Sequence, residues 1–172
     1  MNMTNRAKAH EEIDLIFLDL LPQRGMAVRE AQVRLCHNML DSMDDGRIAL
    51  CDAGVGLGKT YAYLAAGILF RKYMEYASAR PILVTTASIA LQNAVLGEYI
   101  PFLSEVMLEA GIIEKPLKAA LRKGKTHYAC DDRLLKRLSK ANLEKKNERN
   151  KRALLSLKTY LDLDDVAHLS AY

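Results

Sequence analysis

Several features are scarce or missing in this 172-residue chain, and each absence narrows what it can be. No apolar run reaches the roughly 18 residues that a membrane-spanning helix needs, so no membrane partner is expected. The opening stretch MNMTNRAKAHEEIDL carries acids where a signal peptide would place its apolar core, which predicts a cytoplasmic protein. The three cysteines, Cys36, Cys51 and Cys130, are widely spaced and odd in number, a pattern of reduced thiols rather than a disulfide framework. The four histidines stand apart from one another and from the cysteines, so no complete metal-ligand set can be read. Repeats and low-complexity tracts are missing too.

What is present reads as one soluble globular domain. Half of the residues are hydrophobic and 27% are charged, which excludes a disordered chain, and the length suits a single core. A net charge of +4 and a pI near 8.9 point weakly to an acidic partner.

Along the chain, residues 7–21 predict a helix broken by Pro22 and Gly25. Residues 28–43 predict another, with Leu35, Met39, Leu40 and Met43 forming an apolar stripe at helical spacing. Asp44, Asp45 and Gly46 form a turn, and residues 47–52 (RIALCD) read as a short buried strand. A helix apolar on nearly every side is expected from Lys59 to about Tyr76, the pattern of a helix enclosed within a domain. Residues 81–86 (PILVTT) read as a second strand, and Ser88 as the cap of a helix carrying Ile89, Leu91 and Leu96. Pro101 starts or interrupts a further helical run towards Ala110, and residues 117–121 are a candidate third strand. Beyond Cys130, Leu134, Leu135 and Leu138 suggest a helix. The basic residues between Lys136 and Arg152 are interleaved with Glu144 and Glu148 and include no aromatic, so a solvated face is favoured over a base-stacking platform. Strands alternating with helices predict an α/β fold with a parallel sheet flanked by helices.

The most informative stretch is residues 53–60, A-G-V-G-L-G-K-T. Glycines 54, 56 and 58 allow the backbone to curl so that successive N–H groups face phosphate oxygens, and the start of the next helix adds partial positive charge. Lys59 can reach the β- and γ-phosphates and Thr60 can take one magnesium position, which makes these two the expected catalytic residues. The strict phosphate-loop pattern wants glycine where this chain has Ala53. A glycine-rich turn with a chance G-K-T is the alternative; the strand expected before it and the helix after it argue for a nucleoside-triphosphate site. The whole loop, Ala53, Gly54, Val55, Gly56, Leu57, Gly58, Lys59 and Thr60, is the expected ATP-binding set.

The order of these segments resembles the first motor domain of superfamily two helicases, a RecA-like P-loop NTPase, and within it the DinG/XPD group with an iron–sulfur insertion. Arg29 and Gln32 (VREAQ) resemble that family's R-x-x-Q, whose glutamine reads adenine; a polar position on a surface helix is the plainer account of Gln32. Tyr63 and Leu64 match the Tyr-Leu pair that follows the family's loop. VTTASIALQNAVL resembles the motif T-x-T-x-x-L-Q, which implies single-stranded DNA contacts at Thr85, Thr86, Ser88 and Gln92. The same hydroxyls would end a strand and cap a helix in any protein. RKGKTHYACDDRL is similar to the family's K-G-x-x-N-Y-x-C-x-x-R-L, with His127 in place of the usual asparagine. The resemblance implies that Cys130 is the first ligand of a [4Fe–4S] cluster in the full-length protein only; a buried thiol is the default for an isolated cysteine. Cys36 and Cys51 are expected in the core.

The resemblance covers the chain from about Arg29 to Leu134, and parts of the machinery it implies are missing. Such a cluster needs four thiolates. The acidic pair that holds magnesium is absent: Asp164, Asp165, Val166, Ala167 and His168 look like a D-E-A-H box with the histidine one residue too far. The second motor domain is absent as well. The expectation is an ATP-binding N-terminal part of a helicase: residues 1–130 from the motor domain and residues 131–172 the start of the iron–sulfur insertion. Alone it should be inactive, with a tail that loosens or packs against another copy of the chain. The alternative is a self-contained P-loop module or small kinase, against which stands the lack of clustered lid arginines after Cys130.

Overall fold

The computed structural model describes residues 1–73, 81–123, 132, 133 and 136. The chain divides into two units, Met1–Leu121 and Arg122–Tyr172, and every helix named here lies in the first. Helix α1 (Met3–Asp14) widens into a π-helical turn over Leu15–Leu20 and finishes as Leu21–Gln23. Helix α2 is Glu30–Asp44 and α3 is Lys59–Tyr73. Helix α4 runs through Ile89–Ala94, a second π-helical turn over Val95–Tyr99, and Ile100–Glu109.

Both π-turns have the same cause. A proline inside an α-helix lacks the N–H for the ladder, and its ring clashes with the carbonyl four residues back. In α1 the Leu21 N–H bonds to Ile16, five residues back, immediately before Pro22. In α4 the Ile100 N–H bonds to Val95, immediately before Pro101. One widened turn absorbs each proline, so neither helix is broken. This replaces the expected break at Pro22 with a continuation to Gln23, and joins the two helical runs expected on either side of Pro101.

The α2 C-terminus is closed at the turn read from Asp44, Asp45 and Gly46. Gly46 has φ +65°, and the Arg47 N–H returns to the Ser42 carbonyl at 2.8 Å. Helix α3 packs against the other three, most extensively against α2. Its small residues Ala62, Ala65, Ala66 and Gly67 are buried and let its neighbours approach closely, as expected of an enclosed helix. Ile13 and Ile16 from α1, Cys36 and Leu40 from α2, Leu69 from α3 and Leu103 and Met107 from α4 complete the core. Burying each large aliphatic side chain contributes about 1.5–3 kcal/mol. At the rim, Arg24 pairs with Glu105 and Glu109 between the end of α1 and α4. No helix among the described residues is long and apolar enough to cross a membrane.

The α/β expectation is not met. Among the described residues there is no strand, so the parallel sheet and all three strands expected at residues 47–52, 81–86 and 117–121 are overturned. An apolar run that suits a pleated surface becomes a strand only if a neighbour supplies the ladder of hydrogen bonds. Residues 47–52 have none here: Ile48 and Leu50 are fully exposed, and Cys51, which was expected in the core, is exposed as well. Within residues 81–86 the Ile82 side chain lies against Gly67 of α3, and the Thr86 carbonyl accepts from Gln92 Nε2 of α4 at 2.8 Å. Leu117 is tied by its N–H to Ser104 Oγ of α4 at 2.9 Å rather than to a strand. The helix expected after Cys130 lies outside the described residues except at 132, 133 and 136, as does the Asp164–His168 stretch.

Candidate nucleotide-binding site

The glycine loop leads straight into α3, whose first residue is Lys59. Gly56 and Gly58 both have φ +83°, the left-handed region that glycine enters without steric cost. The curl brings the Lys59 ammonium back over its own loop, where Nζ donates to the Ala53 and Gly54 carbonyls at 2.7 and 2.9 Å. The space beside Gly54 and Gly56 is open, with no atom within 4 Å of where a Cβ would stand. Val55 is fully exposed at the tip, Leu57 is half-buried, and Thr60 is half-buried in the first turn of α3. The result is an exposed, positively charged turn at a helix N-terminus, with room beside it for phosphate oxygens.

Gln32 is drawn into the loop. Its side chain is 5% exposed, and Nε2 donates to the Gly58 carbonyl at 2.8 Å. A Cβ on Gly58 would stand 2.2 Å from that nitrogen, so the glutamine occupies the very space that the missing side chain leaves. The plainer account of Gln32 as a surface position therefore fails: it is buried and it holds the loop. Arg29 lies at the N-terminal boundary of α2, exposed, with its carbonyl accepting from the Gln32 and Val33 N–H groups.

The residues matched to the DNA motif form a second small group. Ser88 caps α4 by accepting from the Leu91 N–H at 3.2 Å, and its own N–H donates to Thr86 Oγ1 at 3.2 Å. Gln92 Nε2 donates to the Thr86 carbonyl at 2.8 Å, while its Oε1 is buried without a partner. Thr85 is exposed beside them. Among the described residues no hydrogen bond joins this group to the glycine loop. Because the cap is intrinsic to the fold, Ser88→Ala is expected to lower stability by about 1 kcal/mol with no DNA present, measured by urea unfolding. An unchanged midpoint would show that the cap bond contributes nothing.

Sequence reasoning missed Tyr61. Its ring meets Tyr99 edge-on at 5.0 Å and Phe102 at 5.9 Å, fixing the first turn of α3 against α4. Burial, then the nearby Tyr99 and Glu98, push its hydroxyl above the ordinary tyrosine range. The only signal was the helical spacing of Tyr99 and Phe102. Of the cysteines, Cys36 is buried, and that burial pushes its thiol upward. Cys130 lies outside the described residues, and no group of three or more His, Cys, Asp or Glu that could hold a metal occurs among the described ones.

No family model matches the chain, and no solved structure matches it. Curated relatives do. The chain is 30% identical over 112 residues, 65% of its length, to the 3'-5' exonuclease DinG of Bacillus subtilis (strain 168), and covers 11% of that protein. It is 30% identical over 110 residues, 64% of its length, to the ATP-dependent DNA helicase YoaA of Escherichia coli (strain K12), and covers 15% of it. Against the probable ATP-dependent helicase YpvA of Bacillus subtilis (strain 168) the identity is 24%, over 84% of the chain and 22% of the relative. The chain thus spans less than a quarter of the length of each. The resemblance carried by the motifs therefore holds by alignment: over about two thirds of its length this chain is similar to the DinG-like helicases, and it corresponds to a small part of them.

Proposed function

We propose that this chain carries the ATP-binding loop of a DNA helicase that couples ATP hydrolysis to movement along single-stranded DNA. The observation that carries this is the loop itself: two left-handed glycines, an open flank, and Lys59 as the first residue of a 15-residue helix. The names of two of the relatives above support ATP as substrate, and one of them names DNA as well. The exonuclease activity in the third name is not carried over. Residues 53–60 would hold the phosphates, and Arg29 and Gln32 would contact the adenine, a reading supported by the placement of Gln32 against Gly58. Thr60 is the residue to hold magnesium, whose contribution there is neutralising charge on the phosphates. Thr85, Thr86, Ser88 and Gln92 would face the DNA backbone, with residues 1–130 as motor domain and 131–172 as the start of an insertion.

A [4Fe–4S] cluster does not fit the residues present. It needs four thiolates, and the chain has three cysteines, of which Cys36 is in the helical core. No step is routed through it.

Electrostatic stabilisation of the transferring phosphoryl group is the main catalytic term in such enzymes, and an acidic pair and arginine fingers are its usual donors. With neither legible here, the purified chain should bind Mg-ADP weakly by calorimetry and show no DNA-stimulated ATP turnover. Steady turnover lost on Lys59→Ala would revive the self-contained P-loop reading. No nucleotide binding at all would sink the ATP site.

A further inference from the structure

Helices α1 and α2 meet through a charged cluster that the proposed function does not use. Nδ1 of His10 stands 2.6 Å from Nδ1 of His37, with 4.8 Å between ring centroids and 22° between ring planes, so the rings meet edge to edge and nearly coplanar. The other nitrogen of each ring is already taken. His10 Nε2 lies 2.9 Å from Asp41 Oδ1, and His37 Nε2 lies 2.9 Å from Asp14 Oδ1. From α1, Arg6 also grips Asp41, at 2.6 Å through Nη2, and reaches Asp44 and Asp45 through Nη1. The terminal amine of Met1 pairs with Asp44 at 2.8 Å. Helix α3 packs against both helices, and its Lys72 pairs with Glu12 rather than with this cluster.

Counting protons decides what the histidine pair is. An ionised carboxylate can only accept, so each Nε2 must carry its hydrogen. A 2.6 Å contact between two Nδ1 atoms is a hydrogen bond only with one proton between them. Two neutral rings would face lone pair to lone pair, and two imidazolium rings would face N–H to N–H. The four ring nitrogens therefore hold three protons. We propose that His10 and His37 form a proton-sharing pair of single positive charge that latches α1 to α2, and that gaining or losing one proton opens the latch. The surrounding charge supports one proton on the pair: Asp14, Asp41, Asp44 and Asp45 are matched by Arg6, Arg47, the terminal amine and the singly charged pair. A second proton would add uncompensated positive charge and force the two Nδ1–H groups apart, so acid rearranges the contact without breaking the carboxylate bonds. The latch bears on the loop because Gln32, which holds Gly58, lies on the same helix five residues before His37.

The test is nuclear magnetic resonance on the intact, 15N-labelled chain. Over a pH series a scalar coupling across the hydrogen bond should connect the two Nδ1 atoms wherever three of the four ring nitrogens are protonated, and it should vanish when all four are. A three-proton state with no coupling, or no such state at any pH in the folded chain, would overturn the proposal. A second measurement uses His37→Phe, which keeps a flat ring in place of the imidazole and removes both nitrogens. Its melting temperature should fall by roughly 2–4 °C, with amide exchange in α1 about fivefold faster relative to α3. Unchanged melting and exchange would show that the pair latches nothing. If the variant does not fold, the coupling in the unaltered chain still decides.

Discussion

Gly58→Ala is expected to destabilise the chain by about 2–5 kcal/mol and to remove nucleotide binding. Two separate costs add up to that range. An L-residue held in the left-handed region costs roughly 1–2 kcal/mol, and Gly58 has φ +83°. The new Cβ would also stand 2.2 Å from Gln32 Nε2 and 2.8 Å from its Cδ. The amide is the far end of a flexible side chain and can swing aside, but doing so breaks its 2.8 Å bond to the Gly58 carbonyl. Leaving that buried amide unsatisfied costs about 1–3 kcal/mol more. Urea unfolding of the two single variants and the double variant separates the terms. Gln32→Ala added to Gly58→Ala should recover the steric part and leave the backbone strain. If the double variant is as unstable as the sum of the singles, Gln32 and Gly58 are energetically independent and the clamp has no weight. Calorimetry with Mg-ADP should show no binding by Gly58→Ala, because the same strain reshapes the N–H groups that would face the phosphates.

How much of this was legible from sequence depends on whether the cause was local. The Ser88 cap, the Gly46 turn and the two left-handed glycines of the loop are decided by a few neighbouring residues, and each stands where its residue type predicts. Helix α3 was legible because an apolar run of that length with Ala62, Ala65 and Ala66 suits only an enclosed helix. The strands failed for the opposite reason. Residues 47–52 and 81–86 have strand composition, yet a ladder is a relation between segments, and Ile48 and Leu50 find no partner among the described residues. The prolines misled in a more instructive way: Pro22 and Pro101 mark helix breaks by rule, but a π-turn one residue upstream absorbs each. Gln32 was marked by a motif, but its donor hydrogen bond to the Gly58 carbonyl depends on how α2 lies on the loop, which no spacing encodes. The His10–His37 contact was beyond reach for the same reason, since 27 residues separate its partners.

Lys59→Ala is expected to weaken binding of Mg-ATP and Mg-ADP by roughly tenfold to a hundredfold, the range for losing a charge-assisted hydrogen bond to an anion. Fold stability should change little, because the ammonium is exposed and its two bonds, to the Ala53 and Gly54 carbonyls, lie within the loop. Those bonds tie the start of α3 back to the start of the turn and keep a positive charge over the loop. An ammonium has three donors, so the observed pose leaves one for a phosphate oxygen without any rearrangement of the loop. Lys59→Arg separates charge from shape. A guanidinium keeps the charge, but its planar fork cannot bridge the carbonyls as a compact ammonium does, and binding should fall between the two other forms. Calorimetry on the three proteins at one ionic strength is the measurement, with urea unfolding as the control. Equal affinity in all three would place the nucleotide elsewhere on the chain. A loss of affinity matched by a loss of stability would mean that Lys59 holds the loop together and does not touch the phosphate. Weakened binding at unchanged stability is the result that ties the charge at the start of α3 to the phosphate.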